Sequence, residues 1–528
     1  MTVARRYFPS RALSGALAIA VLLAAMGACS FSSSDDGADA DDTSAQSATT
    51  APSPSDTSTT EGAELGAGGI DRFYEQQVEW SPCEAGFECA TVQVPVDYAD
   101  AGGATLGLAV NRRDTGDSPL GALIVNPGGP GASGIDYAPQ AAEQFGESVL
   151  QSYDIVGFDP RGVAASEPVD CLNDAGVDEL VASDPDPDTA AEVERLDDLL
   201  TDFTTGCVDD AGQLLPHLST TDVARDLDII REVVGDDRLH YYGASYGTFI
   251  GAVYAELFPK QVGRVVLDGA VDPSLGIDEV NKQQAVGFET ALRAYVAACV
   301  EKSTCPLGDD LETGITRIQG FFDDLDAEPL ATGTDRELTE SLGFYGLALP
   351  LYAPMYWSLL DQALTQAFEG DGSTLLALAD AYLQRTESGY ASNNTEVISA
   401  VNCLDDPSDA TVADIRKSIP VFERASPTFG AIFAWSPLTC AKWPVEPASP
   451  VPDIDAKGAS SIVVVGTTRD PATPYRWAQA MAEQLVSGRL LTREGDGHTG
   501  YGMGNKCIDS AVDAYLVEGT VPAADTRC

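Results

Sequence analysis

The sequence predicts an α/β fold with a mostly parallel central sheet and a large helical cap inserted before the last strands. Three observations carry this prediction. From about residue 91 to residue 267, short apolar runs bounded by turn residues alternate with segments of helical period. Between about Pro273 and Pro452 the alternation gives way to helical patterning alone. After Pro452 it returns. Alternating strands and helices build parallel sheets, because each crossover packs a helix onto a sheet face. A helical block between two such strands is therefore an insertion, expected over the sheet edge where open α/β sheets hold their ligands.

The elements follow in order. Arg5, Arg6 and Arg11 precede an apolar stretch from about Leu13 to Ala25, which runs into Met26-Gly27-Ala28-Cys29. A spanning helix needs about 20 apolar residues, so residues 1–28 are expected to be an export signal. The small residues before Cys29 resemble a bacterial lipobox, which makes Cys29 the expected lipid-attachment residue; without lipid on Cys29 the protein would be secreted. Residues 29–69 are rich in Ser, Thr, Ala, Gly, Pro and Asp, hold no lysine or arginine, and read as a disordered tether. Residues 70–272 form the first part of the sheet domain, 273–452 the cap and 453–528 the remainder.

Within the first part, Thr91–Val96 and Thr105–Asn111 read as hairpin strands, and Ala122–Asn126 and Tyr153–Phe158 as buried ones. Residues 172–212 are acidic and helical in pattern. Ser219 or Thr220 caps a helix whose apolar face carries Val223, Leu227, Ile230 and Val234. Leu239–Tyr242 is a strand, Tyr246–Phe258 a helix and Arg264–Leu267 the next strand. The cap reads as helices such as Asn281–Glu301, Tyr356–Gly370 and Thr374–Thr386. Strands at Ser461–Gly466 and Leu490–Arg493, with helices near Pro474–Val486 and Asn505–Leu516, complete the chain.

Composition excludes several functions. With 82 acidic and 30 basic residues the formal net charge is −52, so no nucleic-acid footprint exists. The same charge opposes docking on anionic lipid, leaving a lipid anchor as the membrane attachment. Of 11 cysteines, ten remain once Cys29 is set aside. In an exported chain they are expected to form disulfides, by nearest neighbours Cys83–Cys89, Cys171–Cys207, Cys299–Cys305, Cys403–Cys440 and Cys507–Cys528. No C-x-x-C occurs and the three histidines do not cluster with cysteines, so no metal and no cofactor is expected.

Three separated strings carry the chemistry. Gly243-Ala244-Ser245-Tyr246-Gly247 fits the G-x-S-x-G elbow, and here a strand precedes it and a helix follows, as the motif requires. A serine hydroxyl needs a base in reach and a carboxylate to orient that base. Of the three histidines, His240 lies on the same strand, at about 3.3 Å per residue some 16 Å from Ser245. His217 precedes the serine in the chain. His498, in the glycine-rich Gly495-Asp496-Gly497-His498, follows the last strand and is the expected base. Asp470, in Thr468-Arg469-Asp470-Pro471, is the favoured acid because its strand comes directly before the one that delivers His498, within the chain order Ser, Asp, His of α/β-hydrolases. Asp268, also at a strand end, is the alternative. Asn126-Pro127-Gly128-Gly129-Pro130-Gly131 reads as the oxyanion loop, with one amide from Gly128 or Gly129 and the other from Tyr246. Asp159 and Arg161 read as braces of the same edge.

Together with Gly157–Gly162, Val266–Pro273 and Asn402–Asp405, these motifs resemble the actinobacterial tripeptidyl aminopeptidase group of proline-iminopeptidase-like serine peptidases, from about residue 75 onward. The resemblance implies Ser245, Asp470 and His498 as the triad and peptides with free N-termini as substrates. It also implies a cap carboxylate for the substrate ammonium, for which Asp405 or Asp406 is the candidate. Proline iminopeptidases commonly carry His-Gly-Gly-Pro-Gly at the oxyanion loop; Asn-Pro-Gly-Gly-Pro-Gly favours the tripeptidyl branch. The competing readings are a carboxylesterase or lipase with the same triad, and a binding lipoprotein without turnover. Oligomeric state is not legible.

Overall fold

A computed structural model describes residues 69–83, 86–116 and 119–528. The expected signal, the tether and Cys29 lie outside the described residues. Ten strands form one sheet: β1 (Ser81–Pro82), β2 (Glu88–Pro95), β3 (Thr105–Arg113), β4 (Ala122–Asn126), β5 (Asp154–Phe158), β6 (Leu239–Ala244), β7 (Val262–Asp268), β10 (Ile462–Arg469), β11 (Gly488–Asp496) and β12 (Thr526–Arg527). A separate hairpin pairs β8 (Arg385–Thr386) with β9 (Gly389–Tyr390). The sheet order is β1-β2-β3-β5-β4-β6-β7-β10-β11-β12, antiparallel as far as β5 and parallel from β5 to β12. β4 is buried along its whole length, as expected of a parallel strand covered on both faces.

The helices between the first seven strands include α1 (Gly134–Gln144), α2 (Asp174–Val181), α3 (Ala190–Ala211), α4 (Thr220–Val233) and α5 (Gly247–Leu257). α1, α4 and α5 pack on the sheet, whereas α2 joins the core of the cap and α3 a side cluster around Phe203. Ser219 caps α4 through the Asp222 amide, as its sequence position predicts. The acidic stretch breaks into α2 and α3 at residues 183–188, where Pro185 and Pro187 cannot donate to a helix. Arg161 is completely buried: it pairs with Asp226 at 2.6 Å and donates to the carbonyls of Pro95, Val96 and His217. It braces the sheet edge, as does Asp159, which accepts from the Ser133 hydroxyl at 2.6 Å.

Between β7 and β10 the described chain adds no strand to the main sheet. Its helices include α6 (Ile277–Val300), α7 (Leu311–Ala327), α8 (Glu340–Leu351), α9 (Trp357–Phe368), α10 (Ser373–Tyr382), α11 (Asn394–Asp405) and α12 (Val412–Ala425). All but α11 contribute to one core, built around Phe288, Tyr295, Phe322 and Phe429 and joined by Val177 and Val181 of α2, whereas α11 packs Val397 and Val401 onto the core of the sheet. α6 starts four residues before the sequence pattern suggests, because Asp406 accepts a hydrogen bond from the Ile277 amide. The helix expected to reach Thr386 stops at Tyr382, with Gln384 and Gly389 at positive φ turning the chain into β8–β9. α13 (Tyr475–Gln484) and α14 (Lys506–Glu518) return the chain to the sheet. All five disulfides join the nearest-neighbour pairs, and Cys507–Cys528 holds β12 at the sheet edge.

Candidate active site

β6 ends at Ala244 and α5 begins at Gly247, so Ser245 and Tyr246 make the turn. Ser245 has φ 54°, a left-handed conformation that a non-glycine residue adopts only when its surroundings impose it. Two contacts impose it here. The Ser245 amide donates to the Asp268 carbonyl at 2.8 Å, tying the turn to the end of β7. Gly243 lets strand and helix close: a Cβ there would sit 2.4 Å from the Gly247 carbonyl oxygen.

His498 lies two residues beyond β11. Its amide donates to the Tyr352 carbonyl at 2.8 Å, and its ring meets the Tyr352 ring edge-on with centroids 5.3 Å apart. Nδ1 lies 2.9 Å from both oxygens of Asp470. An ionised carboxylate only accepts, so Nδ1 carries the proton and Nε2 is left free to act as a base. Asp470, in the turn between β10 and α13, also accepts from the amides of Ala472 at 3.0 Å, Thr473 at 2.8 Å and Thr499 at 3.1 Å. Burial pushes the imidazole pKa down, but the Asp470 charge and hydrogen bond, with Asp268 behind, outweigh it and leave it above its ordinary 6.5.

Asp268 does not touch the imidazole. It accepts from the Tyr242 hydroxyl at 2.9 Å and from the amides of Gly500 and Tyr501, both at 2.8 Å. It thus holds the backbone that follows His498, and burial pushes its pKa up to about 6. A Cβ on Gly269 would lie 3.1 Å from His498 Cε1. The imidazole therefore rests on the same Asp268–Gly269 segment that anchors Ser245, which brings the three strings together.

The glycine loop closes over the elbow. A Cβ on Gly128 would meet the Ala244 carbonyl at 2.6 Å, the Tyr246 amide nitrogen at 2.8 Å and Ser245 Cβ at 3.0 Å, and its φ is +95°. The Gly128 amide itself is taken, donating to Asn126 Oδ1 at 2.9 Å. Of the two glycines named from sequence, Gly129 keeps its amide without a protein acceptor among the described residues, and so does Tyr246.

The cap carboxylates diverge. Asp406 is committed to the first turn of α6. Asp405 accepts from the Thr220 amide at 2.8 Å and the Thr220 hydroxyl, which in turn meets the Tyr246 hydroxyl. Burial pushes the Asp405 pKa up to about 7. The remaining histidines stand apart from the imidazole–carboxylate pair. His240 accepts from the Arg264 amide within the sheet at 3.1 Å, its pKa pushed down to about 4 by burial and then by Arg264 and Arg238. His217 packs beside Asp222, with Nδ1 3.8 Å from Oδ2.

Two neighbours of the site escape sequence reasoning. Thr473 Oγ1 lies 3.4 Å from His498 Nδ1; its only sequence cue is its place three residues after Asp470. Asn394 Oδ1 is buried without a hydrogen bond against the glycine loop, 2.9 Å from where a Gly131 Cβ would be. Nothing local in the sequence marks it.

Residues 426–528 match the family described as TAP-like protein. Over 478 residues the chain is 40% identical to serine protease Hip1 of Mycobacterium tuberculosis, covering 86% of this chain and 91% of that protein. It is 39% identical over 449 residues to carboxylesterase B of the same species, covering 83% and 86%. Tripeptidyl aminopeptidase of Streptomyces lividans is 33% identical over 477 residues, covering 85% and 86%.

Proposed function

This chain belongs to the tripeptidyl aminopeptidase group of α/β-hydrolase serine peptidases, and from that premise we propose that it removes short peptides, tripeptides foremost, from free N-termini. Ser245 Oγ attacks the scissile carbonyl while His498 Nε2 takes its proton, and Asp470 stabilises the imidazolium that results. The amides of Gly129 and Tyr246 receive the developing oxyanion. His498 then returns the proton to the leaving amine, and water, activated by the same nitrogen, hydrolyses the acyl-enzyme. The observation that carries this mechanism is the imidazole held at 2.9 Å from both oxygens of a fully buried carboxylate. Both cap carboxylates already accept from the first turn of a helix, and we take Asp405 as the charge for the substrate ammonium because Thr220 links it to Tyr246 of the elbow.

We also read the enzyme as exported and held to the membrane through lipid on Cys29. Five disulfides support an oxidising compartment. Fatty-acid labelling that persists in Cys29→Ser would remove the anchor from this reading.

The decisive assay compares tripeptidyl and aminoacyl chromogenic amides, with free and blocked N-termini, using wild type and Ser245→Ala. Ser245-dependent release from free tripeptidyl amides, with little from blocked ones, is the expected result. Hydrolysis confined to acyl esters would replace the peptidase reading with an esterase one.

A further inference from the structure

A second cluster of carboxylates lies away from the triad, where the α2–α3 turn meets the cap. The turn reads Asp184-Pro185-Asp186-Pro187-Asp188, aspartates at alternate positions on a stretch that two prolines stiffen. One carboxylate oxygen each from Asp184, Asp186 and Glu340, the first residue of α8, lies within 4.8 Å of the other two. Oxygen ligands of a single Ca²⁺, at 2.3–2.6 Å from the ion, fall within about that distance of one another.

The second observation is Glu340 itself. The residue is only 8% exposed; its carboxyl lies in hydrogen-bonding reach of Asp186, while its Oε2 is shielded from solvent with no hydrogen-bond partner. A buried carboxylate oxygen left unpaired is costly. Here nothing cationic relieves it: Asp184, Asp186 and Asp326 are the charges that act on Glu340. Asp188 and Glu192 add to the charge around Asp184. None of these six carboxylates forms an ion pair with lysine or arginine among the described residues. Burial and mutual repulsion raise the pKa values of Asp186 and Glu340.

We infer that Asp184, Asp186 and Glu340 bind one Ca²⁺, which staples the α2–α3 turn to the cap. Oxygen-only, all-carboxylate donors suit a hard divalent cation, and the irregular turn suits Ca²⁺ better than the strict octahedron of Mg²⁺. The ion would link three segments that no disulfide joins: the turn after α2, the start of α8 and, through its field, Asp326 on α7.

The test uses the purified protein stripped with EDTA, titrated with CaCl₂ by calorimetry and then followed by thermal unfolding. One Ca²⁺ per chain is expected, with a Kd of about 10⁻⁴–10⁻³ M as in extracellular modules, and an unfolding midpoint that rises with Ca²⁺ concentration. Asp186→Asn/Glu340→Gln should abolish binding and make the midpoint indifferent to Ca²⁺. In EDTA that variant should unfold at or above the wild-type temperature, because it sheds repelling charges. Should the double variant fail to fold, the more accessible Asp184→Asn should still weaken binding at least tenfold. No binding heat up to about 10 mM Ca²⁺, ten times the weakest expected Kd, would overturn the proposal. Undiminished binding by the variants would do the same.

Discussion

Gly128 sits against the elbow with no room for a side chain, and Gly128→Ala turns that closeness into a measurement. Ordinary contact begins near 3.4 Å, so the new methyl must push the Ala244 carbonyl back by about 0.8 Å and the Tyr246 amide by about 0.6 Å, starting from 2.6 and 2.8 Å. Both neighbours are backbone, so neither can rotate away. Alanine at φ +95° adds strain of about 1–2 kcal/mol. The displaced amide is one of the two proposed oxyanion donors, and losing one such donor costs about 10²–10³ in kcat, or about 2.7–4 kcal/mol. We therefore expect kcat on a tripeptidyl chromogenic amide to fall about 10²–10³-fold, with KM changed by no more than about threefold. Steady-state kinetics supply the first number and calorimetric unfolding establishes that the variant is folded. A folded variant whose kcat stays within about fivefold of wild type, a change of only about 1 kcal/mol, would refute the placement of the oxyanion site between this loop and Tyr246.

Further outcomes follow from the structure. Asp470→Asn should lower kcat by about 10⁴-fold. In wild type, kcat/KM should fall as pH drops through a value above 6.5, because His498 must be neutral to accept a proton and its pKa is raised; in Asp470→Asn the acid limb should move to lower pH. Asp268→Asn leaves one of its three donors opposed by an amide N–H, a loss of about 1–3 kcal/mol. Its unfolding temperature should drop, while its kcat falls at least tenfold less than that of Asp470→Asn. Asp405→Asn should raise KM for free-amine substrates about tenfold, roughly one charge-assisted contact, and leave amine-blocked esters unaffected; equal effects on both would remove the ammonium role. Opening Cys171–Cys207, a closed loop of 36 residues, with a paired serine substitution should cost about 4 kcal/mol by chain entropy and lower the unfolding midpoint accordingly.

What could be read from sequence was whatever depends on near neighbours. The buried strands β4, β5 and β10 are continuous apolar runs, and Ser245 is marked by glycines two residues to either side. His498 could be found by elimination because the chain has three histidines. Two disulfides join partners six residues apart, where proximity in sequence stood in for proximity in space; the other three, 21 to 37 residues apart, followed only from pairing neighbours in order. The two-residue strands β1 and β12 were illegible, since neither carries a periodic pattern and each exists only by pairing with a longer neighbour.

Tertiary structure decided the rest. Asp268 ends β7, while Asp470 follows β10, the strand beside the β11 that delivers His498; sequence position favoured Asp470 without showing which carboxylate turns toward the ring. Packing turned Asp470 onto Nδ1 and Asp268 onto the amides of Gly500 and Tyr501. Gly128 and Gly129 are equivalent as letters, but a hydrogen bond to Asn126 Oδ1 occupies the first amide and leaves the second free. Asp186 and Glu340 are more than 150 residues apart in the chain and meet only because the cap folds back on the α2–α3 turn. A hydrogen-bond direction or a pooled charge depends on the relative placement of distant segments, and that placement is set by the packed core rather than by any local pattern.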